Sequence, residues 1–237
     1  MSAEQSLAPP GESGGDPRGK PKKRYHHGDL RRALIDDAVR TIAGQGIGAL
    51  NLRQLAAGVG VTSGAPYHHF ASREALLAAI ADDGFCELEA RLIAARKAAP
   101  TAAGPRLKAL GEAYVQFAIG RPGYFRVMFH GDAMTTGPTK AGLRAFELLR
   151  EAVLVCQSEG AAPAGDPAPL VLTAWSAVHG FATLCVDGAL PFQGIDGDAM
   201  ASAIGQTIAQ SFAALARSRL GSGPSPEPST IGSLASP

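Results

Sequence analysis

The sequence lacks most of the features that enzymes and secreted proteins use. It has only three cysteines, and Cys86, Cys156 and Cys185 are far apart, without the spacing of a disulfide framework or a metal site. It contains neither a glycine-rich phosphate loop nor a nucleophile–base pair, a carboxylate cluster or metal ligands at functional spacing. We therefore expect no enzymatic activity, no cofactor, and reduced thiols in the cytoplasm, with a redox-sensing thiol as the alternative.

Aromatic residues are also scarce, at 6% of the 237 residues, whereas small and branched aliphatic residues are plentiful. No stretch alternates apolar and polar residues as a half-buried strand does. The composition therefore predicts an all-α protein with one large domain or two small ones. Residues 170–190 are apolar enough to suggest a membrane span, but His179, Asp187 and the absence of basic flanks favour a buried helix of a soluble protein.

Positive charge is concentrated towards one end of the chain. The formal net charge is only +1, yet residues 18–73 carry a local net charge of +7. Such a localised basic region indicates a surface that binds a polyanion. Residues 1–24 are predicted to form a disordered arm, which either follows DNA through Lys22, Lys23 and Arg24 or is a solvated tail.

A helix, a glycine turn and a second helix are predicted within this basic region. Asn51 is a suitable N-cap for a first helix over residues 52–59, whose apolar residues recur at three- and four-residue spacing. Thr62 is predicted to cap the second helix, which begins with small residues that can approach base edges in the major groove. Pro66 fits its first turn, where a missing N–H costs little.

Aromatic, histidine and arginine side chains follow, with donors that can reach phosphate, while Phe70 is the expected core anchor. Ser72 is a predicted cap for the next helix. The residues of this region that we expect to contact DNA are Arg53, Thr62, Ser63, Gly64, Ala65, Pro66, Tyr67, His68, His69 and Arg73. The element that we expect to enter the groove contains Ser63, Gly64, Ala65 and Pro66. Contacts with phosphate are assigned to Tyr67 and Arg73.

The rest of the chain shows helical periodicity interrupted by Pro- and Gly-rich breaks. Helices are predicted over residues 30–45, 72–97, 107–120, 139–160, 167–188 and 196–217, with a short apolar segment over 124–129. The predicted organisation is a helix-turn-helix domain at 25–71, a larger helical domain at 72–219 for effector binding and dimerisation, and a disordered tail at 220–237.

Both halves of the chain resemble one family. The runs Leu52-Arg53-Gln54-Leu55-Ala56, Tyr67-His68-His69-Phe70 and Arg73-Glu74-Ala75-Leu76 resemble the DNA-binding domain of the TetR family of bacterial transcriptional repressors, with Pro66 as one departure. Residues 121–129 and the run Trp175-Ser176-Ala177-Val178-His179-Gly180 resemble the family's C-terminal domain with a Trp-x-x-x-His-Gly motif. The resemblance implies a C-terminal half that dimerises and holds a small-molecule pocket.

Pocket candidates are aromatic or polarisable residues of that half. Trp175 and His179 are four residues apart and share a helix face, which offers an apolar wall with a polar group beside it. An ordinary helical core is the alternative interpretation. The full set of candidates is Tyr114, Phe117, Phe125, Met128, Phe129, Trp175, His179 and Cys185.

The expected function is therefore a repressor that binds a palindromic double-stranded DNA operator as a homodimer. We expect dimerisation through the last two long helices and release by a small, largely apolar effector, whose identity the sequence leaves open. An architectural DNA-binding protein without an effector is the alternative.

Overall fold

The computed structural model describes residues 30–131, 139–190 and 196–221, and in these ranges the chain is helical without strands. The α-helices are α1 (Leu30–Gln45), α2 (Leu52–Val59), α3 (Arg73–Ala98), α4 (Ala103–Gly120), α5 (Pro122–Met128), α6 (Lys140–Ser158), α7 (Ala168–Val186) and α8 (Gly197–Gly221). Two 3₁₀ helices lie at Ile47–Ala49 and Ala65–His68. The predicted all-α class is confirmed.

Contacts divide the chain into residues 1–30 and 31–237, and the packing described below is that of the second unit. The predicted basic arm at 1–24, with Lys22, Lys23 and Arg24, lies outside the described residues. So does the tail beyond residue 221.

Side-chain caps set the beginnings of several helices. Oδ1 of Asn51 accepts from the backbone N–H of Arg53 at 2.9 Å, and Oγ of Ser72 accepts from that of Ala75 at 3.2 Å. These bonds satisfy donors that have no partner inside the helix. Both predicted caps are confirmed, because a cap depends only on residues within one turn of it.

Helix α4 begins four residues earlier than predicted. The sequence pattern assigns Pro105 to a break, but this proline lies in the first turn of Ala103–Gly120, where its lack of an N–H removes no intrahelical bond. The segment predicted only as short and apolar forms α5, which also begins with a proline, Pro122.

Helix α4 is the central helix of the larger domain, because it packs against α3, α5, α6, α7 and α8. Its Val115, Phe117 and Ala118 side chains are completely buried. The other helices therefore form a layer around α4, and spaces between them open onto its apolar side chains.

Helix α5 joins this layer to α1 through a very close contact. A Cβ atom built on Gly123 would lie 2.3 Å from the carbonyl oxygen of Val39 and 2.9 Å from Cγ1 of the same residue. Only glycine permits this approach of the two backbones, since any larger residue would have to push α1 away. Gly123 therefore fixes the distance between α5 and α1.

The guanidinium of Arg126 fastens the other side of α5 to two helix ends. Its Nη1 donates to the carbonyls of Ile42 at 3.2 Å and Ala43 at 2.8 Å, and its Nη2 donates to that of Val186 at 2.7 Å. Its Nε also lies 3.6 Å from a carboxylate oxygen of Asp187. One side chain of α5 thus connects the end of α1 with the end of α7.

We expect Gly123→Ala to lower the free energy of unfolding by about 1–3 kcal/mol, because the added methyl group overlaps the α1 backbone. The matched control is Gly120→Ala, since a Cβ there meets nothing within 4 Å and lies in the last turn of α4. That control should be neutral or stabilising by up to about 1 kcal/mol. Denaturant unfolding of both variants measures the difference, and equal stabilities would contradict the close contact.

Candidate DNA-binding surface and ligand cavity

The segment expected to read DNA is a tight turn followed by a short 3₁₀ helix, and the prediction of a helix capped by Thr62 is wrong. The 3₁₀ helix covers Ala65–His68, its N-cap is Gly64, and no side chain makes a capping bond there. Pro66 has no N–H to donate to the carbonyl of Thr62 four residues earlier. Ala65 N–H takes that carbonyl instead, at 3.0 Å, and Tyr67 N–H bonds to the carbonyl of Gly64 at 3.2 Å.

Most of the residues expected to contact DNA lie on the exterior of this segment. Thr62, Ser63, Gly64, Tyr67, His68 and His69 are exposed, as is Arg53 on α2, and Ala65 is half-buried. Pro66 is buried, so its ring packs into the segment formed by residues 31–72, which we call the head, and does not face outward as expected for a DNA contact. Phe70 is buried as predicted.

Arg73 has a structural contact that the sequence did not indicate. Its Nη2 donates to the carbonyl of Ile47 at 2.9 Å, and the expected contact with phosphate stays a prediction. This bond ties the first turn of α3 to the 3₁₀ helix that follows α1. Nearby, the Arg31 guanidinium lies over the Phe70 ring at 5.4 Å from its centroid. Two arginines thus help to hold the head together.

An apolar cavity lies among α3, α4, α6, α7 and α8. Its volume is about 100 Å³, several times the space that one water molecule needs. The described residues that line it are Phe85, Leu88, Leu92, Leu107, Leu110, Gly111, Tyr114, Phe129, Gly142, Ala145, Phe146, Leu149, Ala174, Trp175, Val178, Gly205 and Ile208. This arrangement can hold a small molecule with a largely hydrocarbon surface.

A hydrogen-bonded pair, of which Tyr114 is buried and His179 half-buried, stands at one wall of the cavity. The hydroxyl of Tyr114 lies 2.8 Å from Nδ1 of His179, and a hydrogen bond also links Tyr114 with Trp175. Burial raises the pKa of Tyr114 far above its usual value and lowers the pKa of His179. At neutral pH the tyrosine and the histidine are therefore both uncharged.

The structure brings together some of the predicted ligand residues and separates others. Tyr114, Phe129 and Trp175 line the cavity, and His179 supports Tyr114. The remaining four are not among the lining residues: Phe117, Phe125, Met128 and Cys185. Phe117 and Met128 are 0% exposed and belong to the core.

Most residues of the cavity wall are not among the candidates that the sequence pattern indicated. Phe85, Leu88 and Leu92 on α3 line it, as does Phe146 on α6. In sequence, an apolar residue that faces a cavity looks like one that packs against a neighbour. The sequence shows that Phe85 and Phe146 are bulky residues on predicted helices. This does not tell whether they face a cavity or pack in the core.

Helix α7, which provides Trp175 and His179, is also the one described helix long and apolar enough to cross a membrane by length and composition. This is weak evidence for a span. In the structure α7 packs against α4, α6 and α8 and forms part of the cavity wall. The prediction of a buried helix is wrong, because most residues of α7 are exposed or half-buried.

Comparisons with known proteins identify the family. Residues 34–80 match the model described as bacterial regulatory proteins, tetR family, and residues 107–220 match the one described as tetracyclin repressor-like, C-terminal domain. Together the two matches span more than half of the chain. No curated protein matches it. The head and the helical domain thus define a transcription regulator, and the chain belongs to the TetR family.

Solved structures are similar over most of the chain. A protein of unknown function from Rhodococcus sp. RHA1 is 34% identical, with a TM-score of 0.66, covering 81% of this chain and 100% of its own. The TetR family transcriptional regulator PfmR from Thermus thermophilus is 20% identical, with a TM-score of 0.60 and coverages of 75% and 97%. AibR, solved with isovaleryl coenzyme A and operator DNA, is 19% identical, with a TM-score of 0.58 and coverages of 77% and 98%.

Two alanines of α6 provide a test of the cavity. Ala145 lines it, whereas Ala152 is equally buried but is not among the lining residues. We expect Ala145→Leu to raise the free energy of unfolding by about 1 kcal/mol, because the added carbons fill open apolar space. Ala152→Leu should lower it by about 1–3 kcal/mol through overpacking. Thermal unfolding compares the two, and an equal loss in both would mean that the space is not available.

Proposed function

We propose that the protein is a repressor that binds a palindromic operator as a homodimer and is released by a small, largely apolar ligand. The observation that carries the proposal is the course of α3. Its first turn is capped by Ser72 beside the DNA-reading segment, and farther along it Phe85, Leu88 and Leu92 line the cavity. A ligand that displaces these side chains acts on the same rigid helix that supports the head.

The exposed groups of the head suit two kinds of DNA contact. Ser63 and Gly64 are small and exposed, so they allow the segment to approach base edges in the major groove. Tyr67 is 51% exposed and presents a hydroxyl that can donate to phosphate. The local net charge of +7 over residues 18–73 adds the salt-dependent part of the affinity.

Helix α7 carries an exposed apolar face that supports dimerisation, and α8 adds the exposed side chains of Met200 and Leu215. Leu172, Ser176, Gly180 and Leu184 follow one another at four-residue spacing along the exposed side of α7. Leu172 and Leu184 are 50% and 44% exposed, and α7 contains no Asp, Glu, Lys or Arg. Two copies that bury these faces would form a two-fold dimer, which suits half-sites about 34–36 Å apart or a multiple of it.

Ligand control requires that the ligand bind one head arrangement more tightly than another. The contacts of α5 connect the ligand cavity with the head. Phe129 at the end of α5 lines the cavity, while Gly123 and Arg126 contact α1. AibR, which has this fold, has been solved with both a small molecule and operator DNA. The proposal places this chain in the cytoplasm, where it would regulate genes near its operator.

The function is tested by selecting random duplexes with the purified protein at two salt concentrations. Recovery of a palindrome supports a sequence-specific dimer, whereas salt-sensitive recovery without sequence preference would favour an architectural protein.

Tyr67→Ala should weaken binding to all duplexes, by roughly fivefold to tenfold if the hydroxyl contacts phosphate, with Tyr67→Phe isolating that hydroxyl. Ser63→Asn should change the recovered sequence, and an unchanged sequence would show that Ser63 does not face bases.

The dimer is tested with Leu172→Arg and Leu184→Arg, which place charges in the proposed interface. We expect each to shift the protein to monomer and to weaken operator binding by at least about tenfold, because a buried unpaired charge is costly. Leu143→Arg is the control, since Leu143 is exposed on α6 beside Arg144, outside the α7–α8 face. Sedimentation reports the oligomeric state, and a variant that remains dimeric would exclude this interface.

A further inference from the structure

The chemistry of the cavity wall restricts what the ligand can be. Seventeen described residues line it, and only Tyr114 and Trp175 among them have a side-chain nitrogen or oxygen atom. None of these seventeen is Lys, Arg, Asp, Glu or His. A charged ligand group would therefore lose its hydration without gaining an ion pair from the described wall, which is costly in an apolar site.

The hydroxyl of Tyr114 is the polar group that the wall offers, and it is held in a fixed orientation. Tyr114 is buried, and His179 Nδ1 at 2.8 Å anchors its hydroxyl from behind. Phe125, Phe129 and Trp175 have ring centroids within 4.6–5.5 Å of the His179 ring, so the imidazole has little room to turn. The Trp175 indole N–H donates to this hydroxyl, which occupies one of its two acceptor lone pairs. The second lone pair can accept from a ligand hydroxyl while the phenol O–H donates to the imidazole.

The neutrality of this pair matters as much as its position. Burial lowers the pKa of His179, and burial raises the pKa of Tyr114, so neither supplies a charge near neutral pH. A carboxylate head would find no cation on the described wall, and an ammonium head would find no carboxylate. An alcohol or a phenol would find a hydrogen-bond partner at the one place where the wall is polar.

We infer that the ligand is an uncharged alcohol or phenol with a hydrocarbon body, whose hydroxyl binds Tyr114 while the body lies against the leucines of α3 and α4. This inference rests on the proposed effector site and specifies its ligand class. The body faces Leu88 and Leu92 on one side and Leu107 and Leu110 on another. The phosphates of a coenzyme A thioester have no counter-charge among the described residues of this wall.

Trp175 makes a direct test possible, because it is the only tryptophan in the chain and it lines the cavity. The probes are two matched series: octanol, octanoate and octylamine, and benzyl alcohol, benzoate, benzylamine and toluene. Within each series the body is constant and the head group changes. Titrations followed by Trp175 fluorescence should show that at least one alcohol binds, and at least about tenfold more tightly than the acid and the amine of its series.

Two tyrosine variants test the role of the hydroxyl. Tyr114→Phe should weaken binding of the alcohol by roughly fivefold to tenfold and leave binding of toluene unchanged or stronger. Tyr124→Phe is the matched control, because this tyrosine is also buried but its hydroxyl accepts from Arg32 and it is not among the lining residues. It should leave both affinities unchanged.

The inference is overturned if an acid or an amine binds as tightly as its alcohol, if no alcohol changes Trp175 fluorescence, or if Tyr114→Phe behaves like Tyr124→Phe. Operator affinity, measured with and without the alcohol, separates this result from the proposed function. An alcohol that binds beside Trp175 without changing operator affinity would support the ligand class and contradict release. If the alcohol abolished operator binding without changing Trp175 fluorescence, release would be supported and the ligand class inferred for this cavity would be contradicted.

Discussion

Helix ends leave carbonyl groups without partners, and in this fold one arginine serves two such ends. Arg126 donates to Ile42 and Ala43 at the end of α1 and to Val186 at the end of α7, over distances of 2.7–3.2 Å. A planar guanidinium can make these bonds at once, whereas a lysine ammonium lacks the same fixed fork. The positive charge also lies favourably near the negative ends of both helices. Without this side chain the head and the cavity wall would share fewer direct polar contacts.

The hydrogen bonds of Arg126 matter because its helix, α5, lies between the head and the cavity. Gly123 brings the backbone of α5 against Val39, so the start of α5 cannot approach α1 any further. Phe129, which follows α5, lines the cavity and packs edge-on against Phe85 of α3 at 5.6 Å between centroids. The short helix is therefore held at α1, and the residue that directly follows it lines the cavity. A rigid helix that contacts α1 and leads directly into the cavity wall can favour one of two discrete positions of the head over the other.

Local signals in the sequence predicted the helices well, because caps such as Asn51 and Ser72 act within one turn. The prediction at Thr62 was wrong, because Pro66 removed the donor that an α-helix needed there and the chain closed a tighter turn. The cavity wall was predicted only in part, since neighbouring helices decide whether an apolar residue faces space or core. Arg126 gave no signal at all, because its partners are backbone carbonyls distant in sequence and any residue provides those.

The turn that we propose to read DNA is small, and this has a consequence for how tightly one head would hold DNA. Its exposed part consists of three hydroxyl side chains, a glycine and two imidazole rings, all within residues 62–69. Such a surface offers few direct contacts, so the proposed function implies that one head alone dissociates readily. In the proposed dimer the second head is tethered close to its half-site, and its high effective concentration supplies avidity that neither head has by itself. Avidity vanishes once both heads can no longer engage together, so a modest change in their separation would be enough to empty the operator.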